Sequence, residues 1–202
     1  MPATSLDDLY LQKLQLVLEA EEQGLDAIPQ LAQMVRDTKL RDMLQTHRRQ
    51  SQEHVRRLEQ LIAARGRRAP KEECVSMRAL IEEAQDTVAM IEDPDTIDAF
   101  VIGAQQAIEH HEIAAYGTAR SWARQLGLDA DVDVLQKTLD EEREADELLS
   151  TIAEGRVNER AAQGAEREVG IASGGRADQS QQREQSRGDL TGVDVKRGAD
   201  MR

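Results

Sequence analysis

The chain has 202 residues, with 39 acidic against 26 basic side chains, a formal net charge of −13 and only 2% aromatic residues. So negative a chain repels a phosphate backbone and an anionic membrane surface, so neither a nucleic-acid nor a membrane partner is expected. The longest charge-free stretch near the middle, Ala99 to Ile108, falls far short of the roughly 20 apolar residues of a membrane span. The amino terminus carries acid where a secretory leader carries base, and a single cysteine, Cys74, cannot close an intrachain disulfide. A cytoplasmic protein is expected, with Cys74 a small half-buried side chain on a helix.

The first 154 residues are rich in Ala, Leu, Glu, Gln and Arg and hold no alternating β-branched run, which predicts helices throughout. The first helix is expected over about 5 to 36, kinked by Pro29. Met34 to Thr38 then forms a tight turn into a second helix over about 38 to 65, which ends at Arg65-Gly66-Arg67-Arg68-Ala69-Pro70. A shorter helix follows at about 72 to 91. Asp93-Pro94 reads as an N-cap with proline at the first helical position, opening a helix over about 94 to 126. Gly127-Leu128-Asp129 stops that helix and caps the last one, about 130 to 154.

Composition changes at Gly155. The remaining residues carry eight of the 13 glycines, no aromatic residue and nine bases against eight acids, whereas residues 1 to 154 carry 17 bases against 31 acids. Such a segment has little to bury against the entropy of ordering it, so 155 to 202 is expected to be a disordered tail without a function of its own. The fold class expected for 1 to 154 is all-α: two antiparallel helix hairpins, joined by a long crossover that contains the shorter helix, make a four-helix bundle.

The apolar stripes of this bundle are interrupted. On four-three spacing the first helix reads Tyr10, Leu14, Val17, Glu21, Gly24, Ile28, Leu31, Val35. The helix over 94 to 126 reads Val101, Gln105, Ile108, Glu112, Ala115, Ala119, with Glu109 on nearly the same face, and the last helix reads Leu135, Leu139, Glu142, Asp146, Leu149. Counting outward from the turns sets Glu21 level with residues near 53, where Gln50, Ser51, Glu53 and His54 occur with His47 one turn above, and sets Glu112 level with Glu142 and Asp146. Several carboxylates in one buried layer repel one another and resist desolvation, and a pair of divalent metal ions offsets both effects. Helix bundles build such centres from a glutamate on each of two helices and a Glu-x-x-His unit on each of the other two. Tyr116, one turn after Glu112, shares its face and can bond a carboxylate. His110 and His111 point elsewhere around the helix and read as exposed or facing a partner.

The stretches Leu18-Glu19-Ala20-Glu21-Glu22-Gln23, His54-Val55-Arg56-Arg57-Leu58, Ile108-Glu109-His110-His111-Glu112-Ile113-Ala114-Ala115-Tyr116-Gly117-Thr118 and Thr138-Leu139-Asp140-Glu141-Glu142-Arg143-Glu144-Ala145-Asp146 resemble the YciE/YciF family of ferritin-like bacterial stress proteins. The resemblance spans residues 5 to 154. It implies a ferritin-like four-helix fold, a carboxylate-bridged iron or manganese centre, a link to stress response, oxygen or peroxide as oxidant, and a homodimer. Carried over position by position, the metal ligands fall on Glu21, Glu109, Glu112 and Glu142, with Asp146 in support. On the second helix the family pattern has glutamate where this chain has Gln50. Either Glu53 or His54 is then the substitute ligand, with His47 a ligand or a support behind one, and the centre holds either two metals or an incomplete set. A non-enzymatic interaction bundle with a degraded centre is the competing expectation.

Overall fold

The computed structural model describes residues 3–66 and 73–164. Five α-helices, α1 (Leu6–Met34), α2 (Thr38–Ala64), α3 (Val75–Val88), α4 (Pro94–Gln125) and α5 (Asp129–Ile152), are followed by a π-helix, Ala153–Val157. The hairpin partners α1/α2 and α4/α5 pack most extensively, and α1 on α4 and α2 on α5 close the bundle. The all-α expectation and the element order hold. No helix among the described residues is long and apolar enough to cross a membrane.

Local chemistry sets the helix ends. Ser5 caps α1 by accepting from the amide of Asp8, and Asp7 and Asp8 place negative charge at the positive end of the helix dipole. Asp37 receives the amides of Lys39 and Leu40 at the start of α2, and Asp93 receives that of Thr96 ahead of Pro94. At Gly127 the backbone turns to φ +70°, a conformation that lacks a steric penalty only for glycine, so α4 stops there. Asp129 does not cap α5 as expected: it lies within the first turn, and Leu128 occupies the cap position without a side-chain bond.

α3 lies on α1 and α4. Met77 is fully buried with Ala20, Cys74 and Ile108, so the apolar face of the crossover covers this bundle. Cys74 is more deeply buried than expected, at 5% exposure. Its thiol lies 3.7 Å from His111 Nε2 and 3.4 Å from Ser76 Oγ; burial pushes the thiol up, but these two partners outweigh burial and bring its pKa down to about 7. His111 is therefore half-buried against the start of α3, while His110 is exposed as expected.

The expected tail is ordered over its first ten residues. The π-helix places Val157 in the core at 1% exposure, and helical turns continue from 158 to 164. Arg160 reaches back to Asp37 at 2.9 Å, Asp95 at 3.3 Å and Asp98 at 3.5 Å. Asp98 is wholly buried and accepts the backbone amides of Arg36 and Asp37 at 2.7 and 2.8 Å, holding the α1–α2 turn against the start of α4. The compact unit ends at Ala162, eight residues beyond the boundary read from composition. The rest of the expected tail, 165 to 202, lies outside the described residues.

Replacing Asp98 with Ala strands two buried amides and removes a partner of Arg160. We expect Asp98→Ala to lower the unfolding free energy by about 2 to 4 kcal/mol in urea titrations, and Asp98→Asn to lower it less because one amide keeps an oxygen acceptor. Equal loss in both variants would contradict this role.

Candidate metal centre

Among the described residues, two of the three apolar clusters lie within the four-helix bundle, with a polar layer between them. One contains Ile28, Leu44, Ile102 and Leu149, the other Val17, Leu58, Ala119 and Leu139. Each bundle helix changes character between the two. On α1 the change falls at Glu21, on α2 at His47, Ser51 and His54, on α4 at Gln105, Glu109 and Glu112, and on α5 at Glu142, all of them buried.

Two groups of side chains converge there. His47, Glu109, Glu112 and Glu142 each place one ligand atom within 4.8 Å of the others, and so do Glu21, His54 and Glu142. Glu142 belongs to both. His47 Nε2 stands 3.2 Å from Glu109 Oε1 and 4.0 Å from Glu142 Oε2. His54 Nδ1 stands 3.2 Å from Glu21 Oε1 and 2.9 Å from Glu142 Oε1 but is aligned for a hydrogen bond with neither. Gly24 on α1 leaves room for Glu112, since a Cβ there would lie 3.9 Å from Glu112 Oε1 and anything longer would press on it.

A surrounding set of donors orients these ligands. Tyr116 donates to Glu21 Oε1 at 2.6 Å, and Gln105 donates to Glu109 Oε1 at 2.8 Å. His54 Nε2 meets Glu141 Oε2 at 2.9 Å, and Arg57 holds Glu141 in turn at 2.5 Å. The Tyr116 ring stands edge-on to His54, with centroids 6.2 Å apart. These bonds occupy one oxygen of Glu21 and one of Glu109, while Glu21 Oε2, Glu109 Oε2, Glu112 Oε2 and both oxygens of Glu142 have no hydrogen-bond partner. Buried polar atoms are nearly always partnered, so these acceptors, with His54 Nδ1 as the nearest basic atom to Glu142, are ones that a cation could satisfy.

The electrostatics agree. Burial raises Glu109, and it raises Glu112 and Glu142 well above the ordinary carboxylate range with help from the charge of Glu21 and of each other. Burial opposes a charge on His54, but the Glu21 and Glu141 carboxylates outweigh it and raise its pKa. Burial, followed by the Glu21 and Glu142 charges, keeps Tyr116 protonated and so a donor. With only two imidazoles beside them, the raised carboxyl groups favour their protonated forms, and divalent ions could take the place of those protons. Imidazole nitrogen and carboxylate oxygen together suit first-row divalent metals.

Of the residues marked in the sequence, Glu21, His47, His54, Glu109, Glu112, Glu142 and Tyr116 come together here. Three do not. Glu53 points outward, 44% exposed, and pairs with Arg56 and Arg57. Asp146 bonds Gln106 and faces His110 at the surface. Gln50 is half-buried, outside the fully buried layer, and the α2 side chain that enters that layer at this turn is its neighbour Ser51, with Oγ 3.5 Å from His47 Nε2. Position 50 lies about 60° from His47 and about 40° from His54 around the helix, at the edge of the inward face. The stripe Leu40, Leu44, His47, Ser51, His54, Leu58, Leu61 keeps four-three spacing throughout, and that signal, read along α2, finds both histidines and Ser51. The anchors Gln105 and Glu141 carry a weaker signal: Gln105 sits in the α4 stripe, while Glu141 is one of many acids on α5.

In the metal-free protein a carboxyl whose folded pKa exceeds its unfolded value holds more protons folded than unfolded between the two, so its contribution to stability falls as pH rises. Glu109, Glu112 and Glu142 all act in this sense. His54 acts likewise: its contribution is full below the ordinary imidazole value and is lost as pH rises through the raised one. Asp37 and Glu141, both lowered, act only at and below the ordinary carboxylate range. Above about pH 7 the lowered Cys74 thiol acts in the opposite sense, so the unfolding free energy of chelator-treated protein is expected to fall between about pH 5.5 and about pH 7 in urea titrations. A rise over that interval would contradict the buried carboxyl layer.

Residues 5–162 match the family model described as "Domain of unknown function (DUF892)". The chain is 32% identical over 162 residues to Protein YciF of Escherichia coli (strain K12), covering 80% of this chain and 98% of YciF. The crystal structure of the E. coli stress protein YciF superposes with a TM-score of 0.73 at 32% identity, covering 77% of this chain and 99% of that one. YcfI from Rhodopseudomonas palustris gives a TM-score of 0.71 at 34% identity, with 73% and 94% covered. A match across almost the whole helical unit, with the same bundle in a solved relative, means that the chain belongs to the YciF-like DUF892 family.

Proposed function

We propose that the bundle is a stress-response metalloprotein that holds two divalent ions, iron or manganese, between its four long helices and oxidises Fe(II) with dioxygen or peroxide. The observation that carries this reading is the count of charges and orphan atoms in the layer: four buried carboxylates, two imidazoles and five unpartnered carboxylate oxygens. The donor set has the composition of the carboxylate–histidine centres that bundles build, four Glu and two His, although Ser51 stands where a Glu-x-x-His54 unit would have its glutamate and His47 supplies the second imidazole from the turn above.

When bound, such a pair supplies two one-electron oxidations, which together reduce dioxygen to peroxide or peroxide to water. The chain prepares for this with fixed geometry. Tyr116 and Gln105 tie one oxygen each of Glu21 and Glu109, so the free oxygen of each is aimed by the bond on the other. Arg57 fixes Glu141, and Glu141 fixes His54 through Nε2, leaving Nδ1 as the nitrogen that faces Glu21 and Glu142. With Nε2–H donated to Glu141, loading requires Nδ1 to release its proton. Glu142 belongs to both groups, which supports a role for it shared between the two ions. The two apolar clusters shut water out from above and below.

The competing reading, an interaction bundle whose centre has lost its metal, draws on Ser51 and on Ala145, which stand where paired Glu-x-x-His units on α2 and α5 would place a glutamate and a histidine. Anaerobic titration separates the two. We expect the full chain to bind about two Co(II) or Fe(II) per molecule, Glu142→Gln to lose both because both groups use it, and His47→Ala to lose one. Admitting oxygen to the Fe(II)-loaded protein should develop Fe(III) absorbance. No stoichiometric binding by the unmodified protein would leave the interaction bundle as the better account.

A further inference from the structure

The six ligand residues are each 2% exposed or less, so an ion in solution has no direct line to them. A groove of about 800 Å³ runs along the seam between α2 and α5 and ends against the π-helix, and His47 lies in its wall. None of the other five ligands lines it. Three smaller cavities, two against the α1–α3 contact and one at the start of α3, are lined by none of the six.

His47 is also the loosely held ligand. A metal-binding histidine ordinarily has its second nitrogen tied to a fixed acceptor, and His54 obeys this through Glu141. The corresponding atom of His47, Nδ1, is buried without a hydrogen-bond partner, and Ser51, one turn away on the same face, is too short to wedge the ring. The bonds of Arg57 to Thr138 and of His54 to Glu141 fix the antiparallel register of the two helices, so Lys39 and Arg156 share the far end of the groove with the acids Asp37 and Asp42, and Glu144 lies near the level of Gln50, beside the His47 end. With acids at both ends and its bases matched by neighbouring carboxylates, the wall does not bar a cation.

We infer that the α2–α5 groove is the door through which a divalent cation passes between solvent and the centre, with His47 the first ligand it meets. This rests on the metal-centre reading and adds a route to it. The exposed wall residues Thr46 and Leu148 are outside the ligand set, so bulk placed there narrows the groove without touching the layer. The test is stopped-flow uptake of Co(II) by the full chain, read as the absorbance of the bound ion, in Thr46→Trp, Leu148→Trp and a control, Gln30→Trp, which fills an α1–α3 cavity instead. The expected result is uptake slowed by at least about tenfold in both groove variants with the final amplitude of the unmodified protein, and no slowing in the control. Uptake at the original rate in both groove variants, slowing of all three alike, or a fall in amplitude at unchanged rate would overturn the door while leaving the centre intact. Absence of Co(II) binding by the unmodified protein would overturn the centre, and the door with it.

Discussion

Four carboxylates buried at one depth constrain the rest of this molecule. A single ionised carboxyl taken out of water costs several kcal/mol, and neighbours of the same sign add to that cost. The bundle does not avoid the expense by letting the acids reach solvent: Glu109 and Glu142 are wholly buried, and Glu21 and Glu112 nearly so. The core is divided around them into two apolar clusters, each well packed, so the polar layer is walled on both sides by side chains that cannot solvate it. Stability, protonation and ligand affinity are thereby linked, because whatever neutralises the layer also stabilises the fold.

The two halves of the layer are held differently. The Glu21 half is tethered throughout: Tyr116 fixes the carboxylate, and the chain Arg57, Glu141, His54 fixes the imidazole. In the other half Glu109 is fixed by Gln105, whereas His47 has a single close partner, Glu109 itself, and a distant one in Ser51. A rigid site and a loose one sharing Glu142 give the protein a preorganised position beside an adaptable one. The loose position is the one that adjoins the groove.

Most of the fold and the depth of the site could be read from the sequence, since both follow from periodicity. The Asp93-Pro94 cap and glycine at 127 mark helix ends, the caps at Ser5 and Asp37 emerge only in the structure, and counting back from the turns puts Glu21 beside position 53; in the structure it meets His54. Less legible was which side chain at that depth faces inward. On α2, Gln50 is half-buried at the edge of the inward face, and the side chain that meets His47 at this turn is the hydroxyl of Ser51. Glu53 stands one position, about 100°, before the inward His54, and the i,i+3 and i,i+4 spacings to Arg56 and Arg57 put it in solvated ion pairs on the outer side of α2.

The end of the domain was illegible because its stabilising contacts are sparse in sequence and long in range. Beyond Glu154 the composition is that of a tail, yet one buried valine and one arginine are enough to fold the next turns onto the bundle. Arg160 succeeds because its target already exists. Burial pushes the Asp98 carboxyl up, against the two amides it accepts, and it stands with Asp37 and Asp95 around Arg160, so the α1–α2 turn gathers three acids for the arginine to meet. The π-helix supplies the wider turn that carries the chain from the axis of α5 to this pocket, and in doing so it lines the far end of the groove that leads to His47. The same contacts that close the bundle at one end therefore shape the opening at its side.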